Sequence, residues 1–147
     1  MSLTFLPITL NDVGTLMPIE NDCHSHPWSE KTFKSCIGDR YFGHYLKDKE
    51  HIIGFYIGEY ILGEATLMDI CISPSYQGNG YGKHILNFFT NEAKSLGAEK
   101  LHLEVRAKNI SALMMYINDG YAEIARRTGY YPSAIGYEDA IVMTKSI

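Results

Sequence analysis

The stretch "YQGNGYGKHIL", residues 76–86, places glycine at three alternating positions, Gly78, Gly80 and Gly82. A segment with helical apolar spacing follows at once. Glycines let the backbone adopt positive φ and approach a ligand closely, and the first turn of a helix carries N–H groups that bind anions. The stretch therefore predicts a phosphate site, with a ligand-free strand-to-helix turn as the alternative.

Two common phosphate motifs do not match this stretch. A P-loop requires Ser or Thr after its lysine, but His84 follows Lys83. A dinucleotide G-x-G-x-x-G motif that starts at Gly78 or Gly80 lacks its last glycine. What remains is the pattern Q-x-x-G-x-G from Gln77, which indicates a different phosphate-bearing ligand.

The elements around the glycines alternate between strands and helices, which predicts a mixed α/β or α+β fold. A buried strand over 64–73 precedes them, and an amphipathic helix over 83–96 follows, with an apolar stripe of Ile85, Leu86, Phe89, Ala93 and Leu96. The other predicted elements are strands over 4–8, 41–46, 51–61, 101–106, 121–127 and 138–144, helices over 11–24, 28–37 and 110–119, and a Tyr-rich loop over 126–140.

Composition limits the classes of protein. The 147 residues suit a single domain, 1–147, with one core. A net charge of −4 argues against nucleic-acid binding and permits a basic peptide as partner. The chain shows no signal-peptide pattern and no apolar run long enough to span a membrane, so we expect a cytoplasmic monomer.

The three cysteines, Cys23, Cys36 and Cys71, are odd in number and form no C-x-x-C pair. We therefore expect no disulfide framework and a reducing compartment. The run Cys23-His24-Ser25-His26 resembles a metal cluster, but no second pair of ligands follows at zinc spacing, so we expect no metal.

The glycine pattern, its buried strand and its helix resemble the Gcn5-related N-acetyltransferases. A second match is a strand, then Asn109, then a helix that carries Tyr116 seven residues on. Several segments narrow the resemblance to the branch that acetylates the N-terminal alanine of the eighteenth protein of the bacterial small ribosomal subunit: residues 27–33 (PWSEKTF), 64–86, 103–109 (LEVRAKN), and 130–133 (YYPS) with 137–143 (YEDAIVM).

This resemblance implies a mixed, mostly antiparallel sheet of about seven strands and about four helices, with acetyl-CoA in a splay between two central strands. Relatives often carry a basic residue at the position of Gly78 or Asn79, so here we expect the pyrophosphate to be bound mainly by backbone N–H groups, with Lys83 as a candidate further contact. The implied cofactor-binding residues are Ile70, Cys71, Ile72, Gln77, Gly78, Asn79, Gly80, Tyr81, Gly82, Lys83 and Asn109.

The implied reaction is attack of an amine on a thioester. An α-amino group has a pKa of about 7.7–8.0, so most of it must lose a proton before it can attack at pH 7. Glu104, on the polar face of its strand, is the candidate general base, and an ordinary solvated carboxylate is the alternative. Tyr116 is the candidate general acid for the thiolate, and a core tyrosine is the alternative.

The acceptor side is predicted from aromatic and acidic residues. The implied substrate-binding residues are Trp28, Asp69, Tyr130, Tyr131 and Glu138. Two other functions stay open: an acetyltransferase of small-molecule amines such as polyamines, and a catalytically silent module that binds acetyl-CoA.

Overall fold

The structure, a computed structural model, describes residues 2–133 and 136–147. Within these ranges, seven strands form one mixed sheet and four α-helices lie against it. The strands are β1 (Leu3–Pro7), β2 (Tyr41–Asp48), β3 (His51–Ile61), β4 (Glu64–Ile72), β5 (Lys100–Arg106), β6 (Ala122–Ser133) and β7 (Gly136–Ser146). The helices are α1 (Val13–Cys23), α2 (Glu30–Ser35), α3 (Tyr81–Leu96) and α4 (Ile110–Asn118).

The sheet order is β1-β2-β3-β4-β5-β7-β6. Neighbouring strands are antiparallel except for the central pair β4 and β5, which is parallel. Helix α3 makes the crossover between these two strands, as a parallel connection requires. The mixed, mostly antiparallel sheet predicted from the sequence is confirmed.

The core consists of two apolar clusters. One packs the buried side of α3, with Ile85, Leu86, Phe89 and Ala93 at 0% exposure, against the central strands. The other holds Val13, Leu16, Phe33 and Cys71 between α1, α2 and the sheet. Leu96 was expected in the stripe of α3 but is 46% exposed, because the helix ends there and Gly97 turns the chain away.

One further prediction is corrected by the structure. The segment predicted as a loop over 126–140 is largely a hairpin of β6 and β7. A register shift between Arg127 and Tyr131 absorbs extra residues, and Gly129 within it takes a φ of 63°, so the turn signals of this segment mark a bulge. Among the helices of residues 2–133 and 136–147, none has the length and apolar character needed to span a bilayer.

Candidate active site

Strands β4 and β5 separate part of the way along the sheet. They are paired only from Glu64–Leu67 on β4 to residues 100–103 on β5. Beyond Leu103 the strands are not paired to each other, and a cavity of about 690 Å³ opens between their ends. The splay is helped by a bulge on β4, where Ile57 pairs with Asp69 and Gly58 with Leu67, so that Met68 is unpaired.

Most of the predicted site residues line this one cavity. They are Trp28, Asp69, Ile70, Ile72, Gln77, Gly78, Gly80, Tyr81, Gly82, Lys83, Glu104, Asn109, Tyr116 and Tyr131. Within the described residues, Cys71, Asn79, Tyr130 and Glu138 do not line it. The fold thus brings together residues as distant in the chain as Trp28 and Tyr131.

The glycine loop forms one end of the cavity. Gly78 and Gly80 have φ of 79° and 83°, a backbone conformation that side chains disfavour. Gly80 is the N-terminal cap of α3, so the backbone N–H groups of the first helical turn point toward the cavity side of the loop. These groups and the positive end of the helix dipole suit a phosphate.

Two side chains fix the loop from within. Gln77 Nε2 donates to the carbonyl of Ile72 at 3.0 Å, and Asn79 Nδ2 donates to the carbonyls of Tyr76 and Gln77 at 3.2 Å each. Asn79 therefore shapes the loop instead of facing the cavity. The polar side chains of the loop hold its backbone, which leaves the backbone to face a ligand.

Helix α4 forms the opposite wall. A Cβ added to Gly82 would lie 3.2 Å from Sδ of Met115, so glycine lets α3 and α4 approach at the cavity. Asn109 caps α4, with its Oδ1 accepting from the N–H of Ala112 at 3.3 Å. The side-chain amide of Asn109 keeps its donor NH₂ group for a ligand.

Glu104 lies on the outward face of β5. Leu103 and Val105 on either side of it are buried, so the alternation predicted for this strand is confirmed. Its Oε1 is 3.1 Å from Nη2 of Arg127, which is half exposed. Glu104 thus reaches the cavity with one ion-pair partner that faces solvent.

Tyr116 lies almost fully buried at the bottom of the cavity, with 4% exposure. Its ring packs edge-on against that of Tyr121, with 5.8 Å between the ring centroids. Burial raises the pKa of Tyr116, and the nearby carboxylate of Asp69 adds to this. Its hydroxyl therefore keeps its proton across the physiological range and serves as a hydrogen-bond donor.

Sequence reasoning missed Glu20, which lines the cavity from α1 with 1% exposure. Its Oε2 accepts from the backbone N–H of Trp28 at 2.8 Å, which fixes the chain between α1 and α2. Burial, and then the neighbouring Asp69, raise the pKa of Glu20. In the sequence, a single glutamate within a predicted helix does not indicate burial. The only available signal is that Glu20 shares a helix face with Leu16, which is also buried.

The structure contains one disulfide, which the expectation of no disulfide framework did not foresee. It joins Cys23, at the end of α1, to Cys71 on β4, with 6.0 Å between the Cα atoms. The odd count of cysteines excluded a complete framework but not one pair, and the packing of α1 on β4 brings together sulfurs 48 residues apart. Next to the pair, His24 Nε2 lies 2.7 Å from Asp69 Oδ1.

The β6–β7 hairpin covers the third side of the cavity. Tyr131 faces inward, and the guanidinium of Arg106 stacks over its ring at 4.4 Å. Tyr130 is 49% exposed, and the guanidinium of Arg127 lies over its ring at 5.0 Å. Glu138 was expected to meet a substrate, but it holds Arg106 and accepts from the N–H of Lys108 at 3.2 Å.

Comparison with known proteins places the chain in a family. The family model described as "Acetyltransferase (GNAT) family" matches residues 13–121, which contain α1 to α4 and both walls of the cavity. The chain therefore belongs to the GNAT acetyltransferase family, the Gcn5-related N-acetyltransferases, as its sequence motifs indicated. Acetyltransferases of this family take the acetyl group from acetyl-CoA.

Several relatives carry the same name. The chain is 38% identical over 144 residues to the [ribosomal protein bS18]-alanine N-acetyltransferase of Escherichia coli K12, which covers 98% of this chain and 97% of the relative. It is 42% identical over 133 residues to the Haemophilus influenzae protein of that name, with 90% of each chain covered. The crystal structure of the E. coli ribosomal-protein-S18-alanine N-acetyltransferase superposes with a TM-score of 0.95 at 38% identity, over 99% of this chain and 94% of that one.

Proposed function

We propose that this protein transfers the acetyl group of acetyl-CoA to the N-terminal alanine amine of ribosomal protein bS18. The observation that carries the proposal is the identity of 38% over nearly the whole of both chains with an enzyme named for that activity. The cavity supports it, because it joins a loop suited to phosphate with Glu104 and Tyr116 in a single space.

Acetyl-CoA is proposed to lie along the splay. The backbone N–H groups at Gly78, Gly80 and the start of α3 take the pyrophosphate, with Lys83 nearby. The part of β4 that is not paired with β5, at Ile70 and Ile72, faces the pantetheine, and Asn109 touches it from α4. This places the thioester toward the inner end of the cavity, beside Tyr116.

Glu104 is proposed to act as the general base, directly or through a water molecule. The acceptor ammonium loses only one proton, from a pKa of about 7.7–8.0, so an ordinary carboxylate at the cavity suffices. The free amine then attacks the thioester carbonyl, and the oxyanion is held by backbone N–H groups of β4.

Tyr116 is proposed to donate a hydrogen bond to the departing thiolate. Its pKa is raised by burial, whereas a thiol has a pKa of about 8.5, so complete proton transfer from the hydroxyl is strongly uphill. Stabilisation of the developing negative charge is therefore its main contribution. Direct transfer within a ternary complex is favoured over an acyl-cysteine, since Cys71 does not line the cavity.

The acceptor peptide is proposed to enter between Trp28 and Tyr131, with the Asp69 carboxylate near its ammonium. The thioester is already activated and the amine needs only to lose a proton, so we propose that the transfer itself needs no metal. We also propose that residues 1–147 act as one monomeric domain in the cytoplasm, where ribosomal proteins are made, without nucleic-acid or membrane partners.

Mass spectrometry tests the activity. A synthetic peptide with the N-terminal sequence of bS18, beginning with alanine, is incubated with acetyl-CoA and the enzyme, and the product is fragmented. We expect one acetyl group, on the α-amine. The matched control is the same peptide with its N-terminus blocked and its lysines free, which we expect to remain unmodified.

Each alternative predicts a different product. If spermidine or lysine side chains are acetylated and the alanine amine is not, the protein is a small-amine acetyltransferase. If acetyl-CoA binds by calorimetry but no acceptor reacts, the protein is a silent binding module. Either result contradicts the proposal.

A further inference from the structure

Five metal-ligating side chains converge beside the acceptor end of the cavity, and one of them, Asp69, is also the proposed contact of the acceptor ammonium. Cys23 and His24 come from the end of α1, and Asp69 and Cys71 share one face of β4. The donor atoms of Cys23, His24 and Cys71 lie within 4.8 Å of one another, and so do those of Glu20, His24, Asp69 and Cys71. We propose that Cys23, His24, Asp69 and Cys71 bind a Zn²⁺ ion when the cysteine pair is reduced.

The donor set fits zinc chemically. Two thiolates, one imidazole and one carboxylate are the ligand types that Zn²⁺ takes in four-coordinate sites, whereas Mg²⁺ and Ca²⁺ prefer oxygen alone. In the sequence, no second pair of ligands follows Cys23 and His24 at zinc spacing. In the fold, Asp69 and Cys71 on β4 supply that second pair.

Part of the geometry is already close to that of a zinc site, although the donor atoms of Cys23 and Asp69 do not lie within 4.8 Å of each other and must approach when the ion binds. Zinc bonds of about 2.0–2.3 Å set the edges of a tetrahedron at roughly 3.3–3.8 Å. Cys71 Sγ lies 3.1 Å from His24 Nε2 and 3.7 Å from Asp69 Oδ1. The 2.7 Å between His24 and Asp69 and the bond between the sulfurs must widen, which requires only side-chain rotation and an opened disulfide.

Asp69 supplies an independent sign of a missing partner. Its side chain is only 5% exposed, and its Oδ2 meets no N–H or hydroxyl donor among the described residues; its acidic neighbour Glu20, whose pKa is raised by burial and by Asp69, is the group that shares a proton with it. A buried carboxylate oxygen is normally paired, because leaving it unpaired costs free energy. Glu20, by contrast, already accepts from the N–H of Trp28, so we assign the carboxylate ligand to Asp69.

The disulfide and the zinc site use the same two sulfurs and exclude each other. In a reducing compartment, Cys23 and Cys71 are thiols, and zinc binding displaces their two protons. If the proposed function holds, the ion sits where Asp69 would meet the acceptor ammonium. Zinc then competes with the peptide and leaves acetyl-CoA binding unchanged.

Cobalt substitution tests the site without any activity assay. A water-soluble phosphine reduces the disulfide to two thiols; it is oxidised to its oxide, and water supplies the oxygen and both protons. After removal of the phosphine under inert gas, the whole protein is titrated with Co²⁺. We expect one equivalent to bind, with a thiolate-to-cobalt charge-transfer band in the near ultraviolet and the strong visible bands of tetrahedral cobalt, and Zn²⁺ to abolish both.

The controls distinguish loss of the metal site from a general disturbance of the fold. The disulfide form of the same unmutated protein should give neither band. Cys23→Ser and Asp69→Asn should each weaken Co²⁺ binding at least about tenfold, whereas Cys36→Ser, which alters the buried cysteine outside the cluster, should bind like the parent.

Three results would overturn the site: no charge-transfer band in the reduced protein, the same band in the disulfide form, or a band that Cys23→Ser leaves intact. Competition between Zn²⁺ and the acceptor peptide is measured separately, by steady-state kinetics. One equivalent of Zn²⁺ should raise the KM for the peptide at least tenfold without changing the affinity for acetyl-CoA. An inactive enzyme that still shows the cobalt bands would contradict the proposed function and support the metal site.

Discussion

The guanidinium of Arg106 donates to Glu138 at 3.0 Å, which ties the last residue of β5 to β7 beside the cavity. The same group donates to the carbonyl of Pro132 at 2.8 Å and stacks over Tyr131. The Arg106 side chain is 24% exposed and that of Glu138 10%. This partly buried pair therefore holds the hairpin against β5 and presents Tyr131 to the cavity, so Glu138 acts as a positioning residue.

We expect Glu138→Ala to lower the free energy of unfolding by about 1–3 kcal/mol, because it removes the carboxylate partner of the partly buried Arg106 and the acceptor of the N–H of Lys108. It should also raise the KM for the peptide more than it lowers kcat, since it displaces Tyr131. Urea unfolding and steady-state kinetics measure the two effects.

The control is Glu123→Ala, which breaks an exposed pair with Arg126 on the same hairpin. It should change stability by less than about 0.5 kcal/mol. If Glu138→Ala lowers kcat and leaves the KM unchanged, Glu138 does not position the acceptor side.

The sequence predicted the elements well where local pattern and tertiary burial agree. The alternation of 101–106 gave β5 and its two faces, and the glycines around 78–82 marked the start of α3. It failed over 126–140, because the turn signal at Gly129 lies in a bulge of β6 and Pro132 pairs with Tyr137 within the hairpin. The sequence shows only the local conformational preference of each segment. Whether pairing with a neighbouring strand overrides that preference depends on the tertiary structure.

The site was predictable where one motif holds its residues and less so where distant elements meet. The loop from Gln77 to Lys83 is one local unit, and most of it lines the cavity. The pairing of Cys23 with Cys71 and the burial of Glu20 depend on how α1 packs on β4, which no spacing encodes. Glu138 was assigned to the substrate because a carboxylate near the cavity looks the same whether it binds a ligand or Arg106.

Acetyl-CoA binding should depend more on the loop backbone than on its lysine. Alanine at position 80 would have to keep a φ of 83°, which costs roughly 1–2 kcal/mol, although its Cβ meets no atom within 4 Å. We expect Gly80→Ala to weaken acetyl-CoA binding about fivefold to thirtyfold and Lys83→Ala less than about threefold, measured by calorimetry.

Gly63→Ala is the matched control for Gly80→Ala. Gly63 has a φ of 85° and equally open space, but it lies in the turn between β3 and β4 and does not line the cavity. The same backbone strain there should lower stability and leave the affinity unchanged. A larger loss of affinity in Lys83→Ala than in Gly80→Ala would contradict a backbone grip.

Tyr116→Phe removes one hydroxyl from a buried ring. We expect kcat to fall about tenfold to a hundredfold, with the Kd for acetyl-CoA within twofold, because the hydroxyl acts on the developing thiolate and not on the bound cofactor. Since burial raises the pKa of Tyr116, its proton should not limit the rate of the parent enzyme as the pH rises toward 9.

Tyr121→Phe serves as the control for this variant, since its hydroxyl is buried without a hydrogen-bond partner among the described residues and does not line the cavity. Its kcat should match that of the parent. Equal losses in both variants would mean that packing of the two rings, and not the Tyr116 hydroxyl, supports catalysis.

Stability should fall in mild acid through His44. Its Nδ1 lies 2.8 Å from the Tyr56 hydroxyl, and burial lowers the pKa of His44 below its ordinary value. Above a pH of about 6.5 the His44 imidazole is neutral in both the folded and the unfolded protein, so it adds no pH dependence to stability. Below a pH of about 6.5 the unfolded chain binds a proton at His44, whereas burial disfavours the charged imidazole in the folded protein. The urea midpoint should therefore drop from pH 7 to pH 5 and drop less in His44→Gln.

The exposed His51 on the next strand gives the matched substitution, His51→Gln, which should keep the full acid slope. An unchanged slope in His44→Gln would show that His44 is not a source of the acid sensitivity.

Glu104→Gln should separate a general base from a structural carboxylate through its pH profile. At pH 7 most of the acceptor amine is protonated, so loss of the base should lower kcat/KM about tenfold to a hundredfold. Near pH 9 the amine is already free, and the deficit should shrink to a few-fold. Arg127→Gln removes the ion-pair partner of Glu104 but keeps the carboxylate, so it should retain most of the activity at both pH values. A deficit in Glu104→Gln that stays constant from pH 7 to pH 9 would show that Glu104 does not take the proton, because only a base becomes dispensable once the amine has lost it in solution.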